Sequence, residues 1–330
     1  MKTSIVFSVI LFFTFSTMSF AKEVKKDFHK SFDVEKGFTL KLESGDGDVT
    51  ITPWNKNFLD IEVHYRVDYT SYRLAGDDQF DVDFQEHDKT IHVTGKEKSH
   101  TFVGVHIRKQ YEYIYTIKAP DYLILDINGE DGSISIENWK GNIECTTDDG
   151  DINLTDIDNS QTDLRTEDGD LFLKSLKSDL LIKTDDGDAE LTMCEVSRGK
   201  ITAEDGEITL KQCNGNFNIE TDDGDILARK LKINILEIET TDGDVELELL
   251  KNDGIDVDVK TDDGSVILDI AEGTSASISI DTDDGRIKMN LPNIEDFEKT
   301  RHGASGKLYD GNGRIHISTA DGNILLREAR

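Results

Sequence analysis

The stretch TTDDGDINLTDI, residues 146–157, places three aspartates around a single glycine, Gly150. The same arrangement returns in RTEDGDLFLKSL, residues 165–176, and in KTDDGDAELTMC, residues 183–194. Aspartate–glycine pairs recur every 18 to 21 residues, with their glycines at 132, 150, 169, 187, 206, 224, 243, 264 and 285. A further copy ends at Gly322, and an isolated early copy contains Gly47. Self-similarity at a nearly fixed period is typical of repeat architectures.

Apolar and polar residues alternate on both sides of each glycine. Positions two and four after it are apolar, as in Ile152 and Leu154, and so in most repeats are positions seven and five before it, as in Leu180 and Ile182. This alternation indicates two short strands per repeat, each with one inward face. A further apolar column lies seven residues after the glycine, where we expect it to fill a corner: Trp139, Ile157, Leu176, Cys194, Cys213, Leu231, Leu250 and Ala271.

Two strands and two turns per repeat predict an all-β chain. In detail they predict a parallel β-solenoid, or β-helix, of about ten coils of 18–21 residues with an N-terminal mixed β cap. Successive coils would stack ~4.8 Å apart. The alternative is a flat antiparallel meander, which would not require the same residue type at the same phase of every repeat.

The chain divides into three predicted regions. Residues 1–21 read as a signal peptide, because a basic start and an apolar run precede the small residues Ser19 and Ala21. Residues 22–125 carry strand-like alternation without the repeat and are predicted to cap the first coil. Residues 126–330 form the acidic solenoid, and an insertion at about 291–312 is predicted to serve as its C-terminal cap.

The formal charge of the chain is −31. Such a surface repels nucleic acid and anionic membranes, and it attracts cations or basic partners. After the signal peptide, no apolar run approaches the ~20 residues that a spanning helix needs. We therefore expect an exported protein, periplasmic or extracellular at the cell surface, with no nucleic-acid partner and no membrane span after cleavage.

Several stretches resemble the bacterial putative-adhesin family. They are a strand that ends in IKAP, the segment YLILDI, the repeated T-x-D-G-D-I-x-L turns and the closing IHISTADGNILL. The resemblance covers about residues 36–328 and implies an exported β-solenoid of the cell envelope with an adhesin-like role. Members of that family more often place Ser and Asn in the turn, whereas this chain uses acids almost throughout.

The turn residues have different expected roles. We expect the glycine to adopt a positive φ, which it does without steric cost, and the aspartate before it suits a turn. The threonine three residues before the glycine suits a strand end. The acids two residues before and one residue after it are less easily explained, because each like-charged neighbour costs ~0.9 kcal/mol at coil spacing even in water.

Together with the aspartates directly before the glycine, these acids form a candidate Ca²⁺ site, since Ca²⁺ prefers hard oxygen ligands. We name the following residues the acidic turn ladder: Asp148, Asp149, Asp151, Glu167, Asp168, Asp170, Asp185, Asp186, Asp188, Asp222, Asp223 and Asp225. The alternative is a row of solvated acidic turns with diffuse counter-ions. No cofactor is required in either case, and Ca²⁺ is the one candidate ion.

Other candidate sites are weaker. No histidine occurs between His106 and His302, and no repeat from 132 to 270 contains a basic cluster, so a carbohydrate-active enzyme is disfavoured. His87, His92, His100 and His106 match no compact zinc spacing. Tyr111, Tyr113 and Tyr115 share one strand face, where packing over the first coil is favoured over sugar stacking.

The cysteines leave one alternative open. Cys194 and Cys213 occupy the same corner of adjacent repeats, so their Cα atoms should lie ~5 Å apart, within the range of a disulfide. Side chains stacked in register seldom have the dihedral angle that a disulfide needs, which favours buried thiols. Cys145 is predicted to be ordinary core.

The favoured function is that of an exported, non-enzymatic cell-envelope interaction or adhesin-like module. Its partner would be an envelope protein or a surface glycan. The alternative is a structural or assembly scaffold of the envelope, and the sequence does not identify the ligand.

Overall fold

The computed structural model describes residues 21–70, 80–97, 108–252 and 254–329. The predicted signal peptide, apart from Ala21, lies outside the described residues. The described residues form β-strands and no helix, which confirms the all-β prediction. The strands are β1 (Ala21–Asp33), β2 (Thr39–Gly45), β3 (Asp48–Pro53), β4 (Phe58–Thr70), β5 (Phe80–His87), β6 (Thr90–Glu97), β7 (Arg108–Ala119), β8 (Ile124–Gly129), β9 (Ile134–Glu137), β10 (Ile143–Thr146), β11 (Ile152–Arg165), β12 (Leu171–Lys183), β13 (Ala189–Thr192), β14 (Glu195–Thr202), β15 (Ile208–Lys211), β16 (Asn214–Thr221), β17 (Ile226–Thr240), β18 (Val245–Leu249), β19 (Asp256–Thr261), β20 (Val266–Ile270), β21 (Ala276–Thr282), β22 (Ile287–Asn290), β23 (Ile294–Lys299), β24 (Gly303–Leu308), β25 (Gly313–Thr319) and β26 (Ile324–Glu328).

The strands pair into two stacks. The first stack runs β1, β4, β7, β3, β9, β11, β12, β13, β15, β17, β18, β20, β26, β22. The second runs β5, β6, β2, β8, β10, β11, β12, β14, β16, β17, β19, β25, β21, β24, β23. The long strands β11, β12 and β17 contribute one half to each stack. Neighbouring strands are parallel except for the outer pairs β1–β4, β4–β7, β5–β6, β21–β24 and β23–β24.

The core consists of the inward residues of both stacks. The strand register aligns apolar residues of neighbouring strands, so that Ile152 lies between Ile134 and Leu171 along the first stack. The corner column is buried from Trp139 to Leu231, but Leu250 is 42% exposed. In that repeat Leu249, not Leu250, pairs with Leu231, because the register of β17 and β18 shifts between Ala228 and Leu231. Cys145, Cys194 and Cys213 are buried free thiols.

The turn glycines pack directly on one another. A Cβ atom on Gly206 would lie 2.1 Å from the carbonyl oxygen of Gly187, and one on Gly224 would lie 2.3 Å from that of Gly206. The same contact, at 1.8–2.3 Å, joins eleven glycines in the spatial order 47, 132, 150, 169, 187, 206, 224, 243, 264, 322, 285. None of them has a positive φ, so that expectation was wrong. Glycine is needed because neighbouring backbones approach too closely for any side chain.

The left-handed conformation occurs elsewhere in the repeat. It is adopted six residues after the glycine, with φ of 55–57°, by Asn138, Asp156, Ser175, Met193, Gln212 and Lys230. This residue directly precedes the buried corner residue. Since L-residues other than Asn and Asp pay about 1–2 kcal/mol for this conformation, the corner stores strain that the packing of the next residue offsets.

The predicted parallel β-solenoid of about ten coils with an N-terminal mixed β cap is wrong. The spatial order does not follow the chain at either end: β25 and β26 lie between β19–β20 and β21–β22. Likewise β2 and β3 lie between β6–β7 and β8–β9, so residues 22–125 extend both stacks and do not cover a first coil. The reason is that every repeat presents the same glycine, threonine and apolar surfaces, which leave the choice of neighbour open.

Residues 294–308 form a hairpin at one end of the second stack. Strands β23 and β24 pair antiparallel, and β24 pairs antiparallel with β21. Antiparallel strands also end the stacks at β1 and β5, whereas β22, of four residues, ends the first stack with a parallel edge. The proposed domain boundaries at 21/22 and 125/126 stay predictions.

We expect Gly206→Ala to lower the free energy of unfolding by about 3 kcal/mol, the upper end of overpacking costs, because the new methyl would meet the Gly187 carbonyl. Urea denaturation followed by circular dichroism measures the change. Gly129→Ala is the matched control, since its Cβ would find its nearest neighbour, Ser44 Oγ, at 3.4 Å. Equal midpoints for the two variants would contradict the role of the glycine column.

Candidate functional site

The threonine of each turn closes the turn and links it to the next repeat. In the turn at 221–224, Thr221 Oγ1 accepts a hydrogen bond from Gly224 N (3.2 Å) and donates one to the Glu204 carbonyl of the neighbouring repeat (3.0 Å). The pattern recurs at Thr166, Thr184, Thr240, Thr261, Thr282 and Thr319. These threonines are buried. The hydroxyl therefore acts as both donor and acceptor inside the fold.

The main-chain carbonyl two residues before the glycine is also fully used. Glu204 O accepts hydrogen bonds from Asp222 N (3.1 Å) and Asp223 N (3.0 Å) as well as from Thr221 Oγ1. Asp148 O likewise accepts bonds from Glu167 N, Asp168 N and Thr166 Oγ1. A carbonyl oxygen has two lone pairs, so three donors leave it no capacity for a cation.

The acid one residue after the glycine has a structural role. Asp188 Oδ1 accepts a hydrogen bond from Glu207 N of the next repeat at 2.8 Å. The same bond joins Asp151 to Asp170 N, Asp170 to Asp188 N, Asp225 to Asp244 N and Asp244 to Ser265 N. Asn323 makes it to Arg286 N with an amide oxygen. The bond therefore requires an oxygen acceptor and not a negative charge.

The acidic turn ladder lies along one edge of the molecule, with its side chains directed outward. Nine of its twelve residues are exposed, and Asp151, Asp170 and Asp185 are half-buried. Among described partners, one ion pair reaches the ladder, from Lys183 to Asp185 at 3.5 Å. The ladder is thus a row of carboxylates at strand spacing that the rest of the described chain leaves almost unneutralised.

Within the described ranges, one group brings three metal-ligating side chains together, and it lies outside the ladder. It consists of His29, Asp60 and Glu62 on β1 and β4, whose ligand atoms lie within 4.8 Å of one another. The sequence did not predict this group, because it is formed by antiparallel pairing of two segments that lie outside the repeat. Ca²⁺ binding by the twelve ladder residues stays a prediction.

A groove of about 730 Å³ crosses β11, β12, β14, β16 and β17 on the second stack. It follows a line of register shifts, which fall at Ser178/Leu180, Val196/Gly199 and Gly215/Asn216. Gly199 makes room for a ring, because a Cβ there would lie 3.0 Å from Phe217 Cδ1. The signal in the sequence was the pair of glycines, 199 and 215, inside strand-like alternation.

The groove contains charged groups that are already paired. Arg198 binds Asp179, and Lys200 binds Glu220 at 2.9 Å. Asn216 bridges two strands at the shift, donating to Ser197 O (2.8 Å) and accepting from Ile235 N (3.2 Å). These side chains hold the irregular strands together.

The aromatic strand and the histidines occupy different surroundings. Tyr113 and Tyr115 are buried, as the packing prediction requires, and Tyr111 is 42% exposed. The Tyr115 ring ends the glycine column, since a Cβ on Gly47 would lie 2.4 Å from Tyr115 Cε2. Burial raises the pKa of the Tyr115 phenol above its ordinary value. His92 lies half-buried on β6, and His100 and His106 lie outside the described residues.

The family model that describes Toastrack DUF4097 matches residues 38–229 and, again, residues 178–327. The chain belongs to the Toastrack DUF4097 family. Toastrack is a different architecture from a ten-coil solenoid with a cap, which is the second finding against that prediction. The two matches overlap at residues 178–229.

Two further comparisons add little to the Toastrack assignment. No curated protein matches the chain. A solved structure named as a putative cell adhesion protein from Clostridium sporogenes is 12% identical, with 92% of this chain and 100% of that chain covered and a TM-score of 0.20. A likeness at that TM-score supports no inference about fold or function. The described residues contain no helix that is long and apolar enough to cross a membrane.

We expect Thr221→Val to lower the free energy of unfolding by about 2 kcal/mol, because the buried N–H of Gly224 loses its acceptor. Chemical denaturation measures the loss. The control is Thr202→Val at a half-buried strand position, where no hydroxyl hydrogen bond to described residues would be lost. If the control lost as much stability as Thr221→Val, the turn bond would not be the cause.

Asp188 separates the structural role of the oxygen from that of the charge. Asp188→Asn keeps the acceptor for Glu207 N and removes one like charge, so its melting temperature should equal or exceed that of the unchanged protein. Asp188→Ala loses the bond and should cost about 1 kcal/mol. Calorimetry compares the two variants, and a destabilised Asn variant would show that the charge itself is needed for folding.

Proposed function

We propose that this protein is an exported, non-enzymatic interaction module of the cell envelope that presents the acidic turn ladder to a cationic partner. The observation that carries the proposal is the row of exposed carboxylates, which has a single ion pair, Lys183–Asp185, among the described residues. Membership of the Toastrack DUF4097 family fits a surface module of this kind.

The ladder is suited to binding because its spacing is fixed by the backbone. Each turn is held by the threonine and carbonyl bonds, so the backbone that carries the carboxylates needs no further ordering when a partner binds. Neighbouring like charges repel by ~0.9 kcal/mol per contact at strand spacing. A partner with cationic groups at a similar spacing would relieve this repulsion, and the −31 charge of the chain would speed its approach.

The groove on the second stack is a weaker candidate for the same role. Its cations are neutralised within the molecule by Asp179 and Glu220, and its amide group at Asn216 bonds to the backbone on both sides. A ligand there would have to replace existing bonds, whereas a cation at the ladder would replace water and counter-ions.

Neutralising the ladder tests the proposal. The triple variant Asp149→Asn, Asp168→Asn, Asp186→Asn removes three exposed charges from one column. Its matched control, Glu190→Gln, Glu220→Gln, Glu246→Gln, removes three charges that are already paired with Lys211, Lys200 and Arg229. Titration calorimetry with a lysine-rich peptide at low salt should show about tenfold weaker binding for the ladder variant, as three exposed pairs of about 0.5 kcal/mol each imply.

The control variant should bind the peptide nearly as well as the unchanged protein. If both variants lose affinity equally, the net charge and not the ladder is responsible, and the proposal is wrong. If neither loses affinity, the ladder is not the binding face.

Specific calcium binding at the ladder is a separate prediction. A thermal melt in a calcium series, with magnesium at equal ionic strength as control, distinguishes the two cases. A rise in melting temperature with calcium alone, absent from the ladder variant, would mean selective sites that bind the folded state. Equal small rises with both ions would mean screened repulsion.

A further inference from the structure

The outward face of β1 and β4 carries a group of different chemistry from the ladder. The strands pair antiparallel, with His29 opposite Glu62 and Ser31 opposite Asp60. Alternation directs these side chains away from the core, which receives Phe32 from β1 and Ile61 and Val63 from β4. One imidazole, two carboxylates and one hydroxyl thus share a small patch, and Lys118 of β7 lies opposite Asp60 on the other side of β4.

The donor atoms in this patch converge. One atom each from His29, Asp60 and Glu62 lies within 4.8 Å of the other two. His29 Nε2 lies 2.8 Å from Asp60 Oδ1 in a hydrogen bond, and the two atoms would have to separate to ~3.4 Å to bind one tetrahedral ion with bonds of ~2.1 Å. Few rearrangements beyond side-chain rotation would therefore be needed to place all three atoms around an ion.

The Asp60 carboxylate is held in place from two sides. Ser31 Oγ donates a hydrogen bond to Asp60 Oδ1 at 2.5 Å, and the Asp60 side chain is 16% exposed. Burial raises the pKa of Asp60, but the hydrogen bonds from Ser31 and His29 and the charges of His29 and Lys118 outweigh it, so the pKa lies below its ordinary value. A ligating carboxylate with an outer hydrogen-bond donor is a common arrangement at protein metal sites.

We propose that His29, Asp60 and Glu62 form a binding site for a divalent transition-metal ion such as Zn²⁺. The imidazole nitrogen gives the site its selectivity, because nitrogen ligands favour zinc and its neighbours, whereas Ca²⁺ and Mg²⁺ prefer oxygen alone. The three protein ligands leave the remaining positions to water. The ion would join β1, whose one partner among the described strands is β4, to that partner.

The site would act on stability at one end of the first stack. Among the described strands β1 pairs with β4 alone, and a bound ion that bridges His29 on β1 to Asp60 and Glu62 on β4 binds the paired state and not the state in which β1 has separated. Zinc should therefore raise the melting temperature and protect β1 from proteolysis. The ladder does not take part in this effect.

Titration calorimetry of the purified full chain with zinc sulphate tests the proposal, with cobalt(II) absorption as a second readout of nitrogen ligation. We expect one zinc ion per chain at this site and at least tenfold weaker binding by His29→Ala, with a weaker cobalt spectrum. Glu62→Gln should weaken zinc binding in the same direction. His29 is 60% exposed, so folding of its variant is expected to be unchanged, which circular dichroism verifies.

His316→Ala is the matched control, because His316 also faces outward beside a carboxylate, Asp258, but does not belong to a three-ligand group. It should bind zinc as the unchanged protein does. Absence of zinc binding, or equal affinity in His29→Ala and the unchanged protein, would overturn the proposal. Zinc binding that is lost in the ladder variant and kept in His29→Ala would place the ion on the ladder and overturn it as well.

Discussion

The fold depends on how closely one turn approaches the next. Each turn glycine lies against the carbonyl oxygen of the glycine in the neighbouring repeat, where a Cβ atom would come within 1.8–2.3 Å. This contact brings the threonine hydroxyl within reach of the next backbone carbonyl, as between Thr221 and Glu204. Strand register, core alignment and the spacing of the acids all follow from that approach, because adjacent strands on both sides of the turn inherit its spacing.

The turn separates two kinds of polar group. Backbone oxygens such as Glu204 O accept hydrogen bonds from the neighbouring repeat, while carboxylates such as Asp149 and Asp168 face solvent. The acid after the glycine belongs to both kinds, since Asp188 is exposed but its Oδ1 accepts a hydrogen bond from the backbone N–H of Glu207. A ligand at this edge would therefore meet side chains and not main chain, which suits a cationic partner better than a cage that needs carbonyl ligands.

The sequence predicted which residues of each repeat are buried, but it did not predict which repeats are neighbours in space. The inward residues, the buried threonines and the corner from Trp139 to Leu231 follow from local alternation and were predictable. The neighbours of Gly264 were not, because Gly285 and Gly322 offer the same surface, and the structure places Gly322 in contact with Gly264. The positive φ was assigned to the wrong residue, since a close backbone approach also requires glycine. The group at His29 depends on antiparallel register outside the repeat, for which the sequence holds no periodic signal.

The position of β25 and β26 has a consequence for how the molecule is assembled. These strands lie between β19–β20 and β21–β22, although they follow β21–β24 in the chain. The repeat that contains Gly285 can therefore pair with β24 of the hairpin but cannot join β19 and β20 until residues 313–328 have been made, so the stacks cannot grow in chain order beyond Gly264. A chain that stops before residue 313 loses more than β25 and β26, because it leaves a gap inside both stacks and separates β21 and β22, with the hairpin β23–β24, from β19 and β20.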